Sequence, residues 1–270
     1  MTNDRDYVLG THDAEIDRLG LQHRVWRPRA LDAWRRAGIT LGQTVVDIGA
    51  GPGFATQDLA EIVGPGGRVI AVERSARFLA ALRARAERAG LSNVETIEAD
   101  LLDAELPEGV ADALWCRWVL CFVADPRAAL RRVLGTLKPG GVAVFHEYAD
   151  YRGWRLAPRG PALERYVDAV MASWRATGGE PDIALDLPDW LAAEGFEVEA
   201  RPIVDAVPPS NFVWQWPVSF VETGSARLVE LGYLSEADAL AVREEIDRAA
   251  RDPNRLMITP TVLEIVARRR

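Results

Sequence analysis

The stretch that decides the fold of this chain runs Val45-Val46-Asp47-Ile48-Gly49-Ala50-Gly51-Pro52-Gly53-Phe54. It predicts a buried β-strand, an acidic turn rich in glycine, and the start of a helix. The pattern is D-x-G-x-G-x-G, whereas the dinucleotide fingerprint G-x-G-x-x-G would need a glycine where this chain has Phe54. Glycine has no Cβ, so a ligand can approach the backbone N–H groups of this turn closely. The turn therefore predicts a nucleoside site rather than a pyrophosphate cradle.

On both sides of this turn the sequence predicts short apolar strands that alternate with helices. The predicted strands are 44–48, 68–73, 94–99, 111–116 and 142–146, and the predicted helices among them are 55–63, 75–89 and 127–137. Such alternation is typical of an α/β fold with a doubly wound, mostly parallel sheet and helices on both faces.

The chain of 270 residues is predicted to form a single domain with three parts. They are an N-terminal helical cap (1–38), a cofactor-binding core (39–150) and a region for the acceptor site and lid (151–270), which completes the sheet. In the cap, residues 12–36 are expected to be helical in two pieces, broken near Pro28. The third part is predicted to contain helices at 162–175, 187–193 and 236–248, strands at 196–204 and 261–267, and an insertion at 205–254.

Composition narrows the class of protein. The net charge of −8 provides no basic surface for a nucleic acid. The two cysteines, Cys116 and Cys121, lack C-x-x-C spacing, which argues against a disulfide scaffold or a zinc site. No apolar run reaches the ~20 residues of a membrane span, and residues 1–20 lack the apolar segment of a secretory signal. A cytoplasmic protein without a membrane partner is expected.

The strand ends carry the candidate ligand-binding residues, because ligands bind beyond the carboxyl ends of the strands in such a sheet. Glu73 ends the second strand and can accept hydrogen bonds from both ribose hydroxyls of an adenosine. Asp100 follows the third strand and can accept from an adenine amino group while Leu101 packs on the ring. Strand four ends at Arg117 and Trp118, where backbone and ring could face the ligand. Each carboxylate could instead be a surface residue, and the glycines could serve helix packing alone.

Together with Lys138-Pro139-Gly140-Gly141 before strand five, this combination resembles the class I, Rossmann-like S-adenosylmethionine-dependent methyltransferases of the small-molecule type. The resemblance covers residues 40–150 and implies S-adenosylmethionine as cofactor, in a seven-stranded sheet with its last strand antiparallel. The expected cofactor-binding residues are Asp47, Gly49, Ala50, Gly51, Gly53, Glu73, Arg74, Asp100, Leu101, Arg117, Trp118 and Gln22. His23 is a further candidate, since N-terminal helices of this family often close over the cofactor.

Catalytic and acceptor-binding residues follow from the end of strand five and from the aromatic residues. His146 and Glu147 are the candidate catalytic pair, with a buried core role as the alternative for His146. The expected acceptor-binding residues are Tyr7, Trp26, Tyr148, Trp154 and Trp214. Core packing accounts for these tryptophans almost as well as a lid does. The sequence shows no cluster of metal ligands.

The predicted reaction is transfer of a methyl group from S-adenosylmethionine to the oxygen, nitrogen or carbon of a small aromatic or apolar metabolite. The alternatives are an RNA or protein methyltransferase and a protein that binds the cofactor without methylating. The chain lacks the D/N/S-P-P-Y/F tetrapeptide after strand four, which lowers the case for a nucleic-acid substrate. A nicotinamide-dependent reductase is disfavoured because no Tyr-x-x-x-Lys pair is present. The acceptor stays open, and so does a homodimer.

Overall fold

The computed structural model describes residues 13–103 and 105–270, and a mixed sheet lies at its centre. The strands are β1 (Thr44–Ile48), β2 (Arg68–Glu73), β3 (Val94–Glu98), β4 (Ala111–Arg117), β5 (Leu137–Asp150), β6 (Arg155–Ala157), β7 (Phe196–Ile203), β8 (Ala206–Val207), β9 (Leu256–Ile258) and β10 (Thr261–Arg269). Seven of them form the main sheet in the order β3-β2-β1-β4-β5-β10-β7, and β6-β9-β8 form a small second sheet. Neighbours from β3 to β5 are parallel, and β10 is antiparallel to β5 and β7. The predicted fold class is confirmed.

Helices cover both faces of the main sheet. They are α1 (Asp13–Ala37), α2 (Phe54–Val63), α3 (Ala76–Arg88), α4 (Pro126–Gly135), α5 (Pro161–Ala176), α6 (Leu187–Ala193), α7 (Gln215–Glu230) and α8 (Glu236–Ala250), with 3-10 turns at Leu120–Phe122, Ile183–Leu185 and Phe212–Trp214. Successive residues of a strand point to opposite faces. Accordingly, Val46 of β1 belongs to the larger core cluster, and Val45 packs in a second cluster that includes Trp34 and Leu59.

The predicted break of the N-terminal helix is wrong, because α1 is one helix with Pro28 inside it. A proline in a helix interior costs about 3 kcal/mol or more, since it removes one hydrogen bond and crowds the preceding turn. The same helix buries Trp26 and Trp34 almost completely. Each tryptophan covers about 150–250 Å², which is worth about 4–6 kcal/mol at 25 cal/mol/Å². Packing thus outweighs the local cost.

Helix α7 lies inside residues 205–254, where the sequence predicts no helix before residue 236. Pro217 lies in its first turn, where proline is tolerated. Thr223, Gly224 and Ser225 are weak helix formers and hid the pattern. Gly224 has a packing role, since a Cβ on it would lie 2.7 Å from the Tyr166 hydroxyl. Helix α7 contacts α1, α5 and α8, and α8 also contacts α5.

Candidate active site

A cavity of about 350 Å³ lies at the carboxyl ends of β1, β2 and β4, with α1 contributing to its wall. The following predicted cofactor-binding residues line it: Asp47, Gly49, Ala50, Gly51, Glu73, Arg74, Asp100, Leu101, Arg117, Trp118 and Gln22. Gly53 is not among the lining residues. The strand-end argument therefore placed these residues around one cavity, as the carboxyl-edge rule for doubly wound sheets requires.

The three glycines of the turn have different roles. A Cβ on Gly49 would lie 2.3 Å from Val119 Cγ2, and one on Gly53 would lie 2.5 Å from Leu82 Cγ. These two glycines permit close packing of the turn. A Cβ on Gly51 would meet no protein atom within 4 Å, yet Gly51 lines the cavity with a φ of 55°. Gly51 is therefore the position where an absent side chain leaves room for a ligand against the backbone.

Glu73 joins the end of β2 to the glycine turn. Its Oε2 accepts a hydrogen bond from the Gly51 N–H at 3.0 Å, and its Oε1 accepts from the Ser75 N–H at 2.9 Å. Burial raises the pKa of Glu73, while the backbone hydrogen bonds oppose that rise. Each carboxylate oxygen has two lone pairs, so the group can still accept hydrogen bonds from hydroxyls in the cavity.

Two opposite charges lie at another part of the cavity wall. Asp47 accepts a hydrogen bond from the Thr56 hydroxyl at 2.6 Å, and burial raises its pKa to about 7. Burial lowers the pKa of Arg117 to about 10, which still leaves the guanidinium charged at neutral pH. Its Nη1 is buried and has no hydrogen-bond partner among the described residues. A buried donor without a partner is rare in proteins and points to a ligand or a water.

His23 connects Arg117 to the helical cap. Its Nε2 lies 3.0 Å from Asp58 Oδ2, and its Nδ1 lies 3.3 Å from Arg117 Nη2. The imidazole stacks on Phe54 with ring centroids 5.9 Å apart, and both rings line the cavity. The sequence predicts His23 as a candidate site residue, but it does not predict Asp58 or Phe54. Asp58 lies in an apolar helix 35 residues away, and no local pattern marks it as a histidine partner.

Comparison with known proteins indicates the class of domain that holds this cavity. Residues 46–145 match the family model described as a methyltransferase domain. This match and the order of the main sheet agree with the resemblance of residues 40–150 to class I, Rossmann-like methyltransferases. Over 144 residues it is 33% identical to the ubiquinone/menaquinone biosynthesis C-methyltransferase UbiE of Pseudomonas savastanoi pv. phaseolicola, a match that covers 53% of this chain and 55% of that protein. The chain thus spans about half the length of the curated relatives it matches.

Two solved structures share the fold of this methyltransferase domain at low sequence identity. The (4+2)-cyclase SpnF is 20% identical, with a TM-score of 0.54 and coverage of 90% of this chain and 80% of that one. The phosphoethanolamine N-methyltransferase 2 of Haemonchus contortus is 17% identical, with a TM-score of 0.59 and coverage of 93% and 56%. The predicted recognition of a Rossmann-like methyltransferase is confirmed at the level of the domain and its fold.

The predicted acceptor-binding residues lie away from the cavity of the methyltransferase domain or outside the described residues. Trp118 lines the cavity and stacks between Tyr148 and Trp216, at centroid distances of 5.4 and 5.5 Å. Trp26 packs edge-to-face against Trp118, with ring centroids 5.1 Å apart. Trp154 and Trp214 are buried and are not among the lining residues. Tyr7 lies outside the described residues. The acceptor roles of these residues stay predictions.

The two candidate catalytic residues, His146 and Glu147, are buried in the core. His146 Nε2 lies 3.1 Å from Glu264 Oε2, and the ring is covered by Trp26 and Trp115. Glu147 Oε1 accepts hydrogen bonds from the N–H groups of Val119 and Leu120 at 2.8 and 2.9 Å. Burial raises the pKa of Glu147 to about 7. The structure does not bring either side chain to the cavity wall, and their catalytic role stays a prediction.

Trp118 is the one non-glycine residue with a positive φ in the part of the chain that the structure describes, at 51°. This conformation is unfavourable for a bulky residue and is retained where the surrounding packing imposes it. The stacked rings and the hydrogen bond from the Trp118 N–H to the His146 carbonyl at 2.9 Å impose it here. This conformation could not be predicted from the sequence, since it follows from the packing of four aromatic residues.

Two further structural findings concern the described residues. Within 13–103 and 105–270, no helix has both the length and the apolar composition needed to cross a membrane. Across the same residues, no three His, Cys, Asp or Glu side chains are grouped in a way that could hold a metal ion.

Proposed function

We propose that this protein transfers a methyl group from S-adenosylmethionine to a small, aromatic or apolar metabolite. The observation that carries the proposal is the glycine turn held by Glu73, which leaves the backbone at Gly51 open to a ligand. A relative named as a C-methyltransferase of quinone biosynthesis supports it over the matched part of the chain. The activity of the whole protein is part of this proposal, because the chain spans about half the length of that relative.

The residues of the cavity fit the proposed cofactor. Its volume of about 350 Å³ falls in the range of small-molecule sites. Glu73 would accept hydrogen bonds from the ribose hydroxyls, and Asp100 from the adenine amino group, with Leu101 against the ring. Gln22 and Arg74 line the same cavity. When bound, the cofactor supplies an electrophilic methyl group on a sulfonium.

The protein's own contribution is to bind, orient and exclude water, which can supply much of the rate of an in-line displacement. Trp118 and Phe54 line the cavity beside Gln22 and His23 and reduce the water around the reacting group. Trp118, whose ring stacks with Tyr148 and Trp216, forms an apolar part of the cavity wall. An apolar wall favours an apolar or aromatic acceptor, and the name of the quinone-pathway relative favours a hydroquinone ring. Catalysis by His146 or Glu147 belongs to the proposal as well.

The proposal includes a cytoplasmic protein that acts as one domain over residues 1–270. It has a small-molecule substrate and neither a nucleic acid nor a membrane as partner. A homodimer is left open. The charge of −8 is the main argument against an RNA substrate.

The proposal is tested by incubation with methyl-labelled S-adenosylmethionine and three probes: 1,4-naphthoquinol, 4-hydroxybenzoate and bulk transfer RNA. We expect label in the naphthoquinol fraction and release of S-adenosylhomocysteine. The Gly51→Val variant serves as the inactive control, because its side chain would fill the ligand space. Label in the RNA alone would contradict the small-molecule proposal.

A second candidate is an enzyme that binds the cofactor without using its methyl group. SpnF shares this fold and is named as a cyclase, which supports the second candidate function. The same incubation distinguishes the two candidates. Saturable binding of S-adenosylmethionine without release of S-adenosylhomocysteine, over the probes and a metabolite extract, would favour the second.

A further inference from the structure

A buried polar network runs along one face of α1 and ends at the cavity. Glu15, Arg18 and Gln22 have the spacing of neighbours on one helix face, and all three are buried. Arg18 Nε and Nη2 donate to the two carboxylate oxygens of Glu15 at 2.7 and 2.6 Å. The same guanidinium donates from Nη1 to Gln22 Oε1 at 2.9 Å. The side chain of Gln22 is therefore held by an ion pair that is itself buried.

A second donor fixes the direction of the Gln22 carboxamide. Trp216 of α7 donates from its indole Nε1 to the same oxygen at 3.2 Å. A guanidinium and an indole have only donors, so the oxygen of Gln22 must face Arg18 and Trp216. A rotated carboxamide would bring its NH2 group against them and leave two buried donors without an acceptor, which is unfavourable. The network thus determines which way the carboxamide points.

The NH2 group is the polar part of Gln22 that is left for the cavity. Gln22 lines the cavity, whereas Arg18 and Trp216 do not. Among the described residues, the side chain of Gln22 forms its hydrogen bonds through Oε1. Donation from the guanidinium to this oxygen polarises the carboxamide and strengthens its N–H groups as donors. A ligand atom beside Gln22 must therefore be one that accepts a hydrogen bond.

Gln22 lies on the other side of the cavity from the residues proposed for the nucleoside. Glu73 and Asp100 follow β2 and β3, whereas β4 lies on the opposite side of β1. Trp216, the partner of Gln22, stacks on Trp118, which follows β4 and lines the cavity. The NH2 group of Gln22 thus lies near the apolar part of the wall. A nucleoside bound at Glu73 and Asp100 would leave this side of the cavity to the methyl acceptor.

We propose that Gln22 is a specificity-determining residue, whose NH2 group donates a hydrogen bond to an oxygen of the methyl acceptor while the apolar part of the acceptor lies against Trp118. Arg18 and Trp216 act through Gln22 and are positioning residues. The inference rests on the function proposed above and narrows the acceptor to compounds with a carbonyl, enol or phenol oxygen on an apolar skeleton. A protonated amine is disfavoured, because its own N–H groups would face those of Gln22.

Three probes with one apolar skeleton test the assignment by calorimetric titration in the presence of saturating S-adenosylhomocysteine. They are 1-tetralone, with a carbonyl oxygen, tetralin, with no polar atom, and 1-aminotetralin, which is protonated at neutral pH. In Gln22→Met we expect affinity for 1-tetralone to fall about 5- to 100-fold, as for a carbonyl buried without a donor. Affinities for tetralin and for S-adenosylhomocysteine should stay near the native values.

Gln22→Glu tests the direction of the hydrogen bond and keeps an oxygen for Arg18 and Trp216. One carboxylate oxygen takes the place of Oε1, and the other replaces the NH2 group toward the cavity. This variant should lose affinity for 1-tetralone and bind 1-aminotetralin about tenfold or more tightly than the native complex does, through a charge-assisted hydrogen bond. Native affinity for 1-tetralone in both variants would mean that the donor lies elsewhere, and unchanged affinity for 1-aminotetralin would mean that position 22 does not face the probe. Either result would overturn the proposal.

Trp216→Phe tests the positioning role. Phenylalanine keeps a ring beside Trp118 but offers no N–H to Gln22, so the carboxamide is then oriented by Arg18 alone. We expect affinity for 1-tetralone to fall about 2- to 10-fold, as for one neutral hydrogen bond, and affinity for tetralin to stay near the native value. Equal losses for the two probes would mean that Trp216 acts only through the ring stack, and its positioning role would be refuted.

Gln215→Met is the matched control, because Gln215 is exposed on α7 next to Trp216, and it should bind every probe like the native chain. If Gln22→Met lowered affinity for S-adenosylhomocysteine as much as that for 1-tetralone, Gln22 would be a contact of the cofactor and the proposal would be wrong. Absence of measurable 1-tetralone binding by the native complex would also contradict it. A native chain that does not bind S-adenosylhomocysteine would instead refute the proposed function itself.

Discussion

Replacement of Glu73 by alanine probes the ribose end of the site. Both oxygens of Glu73 are engaged by backbone N–H groups at 3.0 and 2.9 Å and have lone pairs left for hydroxyls. One hydrogen bond to a charged group contributes about 1.5–3 kcal/mol, so losing a single ribose contact should weaken binding about 10- to 150-fold. The loss of affinity should be larger if both hydroxyls are bound. The variant also removes the acceptor of the Gly51 N–H, which should weaken binding further.

The assay is calorimetric titration with adenosine and with 2′,3′-dideoxyadenosine, on the native chain and on Glu73→Ala. The reasoning requires a large loss for adenosine and a smaller loss for the dideoxy compound, since only adenosine has hydroxyls to bind. Glu61→Ala, on the exposed side of α2, serves as the matched control. Equal losses for the two nucleosides would mean that Glu73 acts only through the shape of the turn, and unchanged affinity for adenosine would remove it from the site.

Three further variants test other parts of the molecule. Gly51→Val should abolish nucleoside binding while far-ultraviolet circular dichroism stays native, because a β-branched residue at a φ of 55° is strained and its Cβ fills the open space; a variant that still binds would refute the close-approach argument. His146→Ala should lower the free energy of unfolding by about 1–3 kcal/mol, since the buried Glu264 loses a hydrogen-bond donor and keeps Arg36, and full turnover in the folded variant would exclude His146 as the base. Burial raises the pKa of Glu147 from 4.5 to about 7, so the folded chain binds this proton more tightly than the unfolded chain does. The free energy of unfolding should therefore fall by about 3–4 kcal/mol as pH rises between these two values. Glu147→Gln should remove this dependence in urea unfolding at pH 5 and pH 8, and equal slopes in the two chains would show that the carboxyl does not carry it.

The strand ends and the glycine turn could be predicted from the sequence because they depend on local features. Gly51, Glu73 and Asp100 each follow a short apolar strand, and parallel strands end at the same edge of a sheet. This rule placed them around one cavity without knowledge of the packing. The different roles of the three glycines could not be predicted. Gly49 and Gly53 are crowded by Val119 and Leu82, which lie far along the chain, whereas Gly51 is open.

Contacts between segments that are far apart in the chain could not be predicted from the sequence. His146 ends a predicted strand beside the expected acceptor site, yet its partner Glu264 comes 118 residues later and draws it into the core. Asp58 and His23 meet only because α1 packs on α2. Helix α1 continues through Pro28 for a similar reason, since tertiary burial overrides the local preference.

The position of β10 has a consequence for how the molecule is made. This strand comes last along the chain but lies inside the sheet, between β5 and β7. A polypeptide emerging from the ribosome must therefore wait for residues 261–269 before β5 is paired on its second edge and before β7 joins the sheet. Until then β5 exposes an unpaired edge, the kind of surface that invites intermolecular pairing. Yield of soluble protein should thus be unusually sensitive to truncation within residues 261–269.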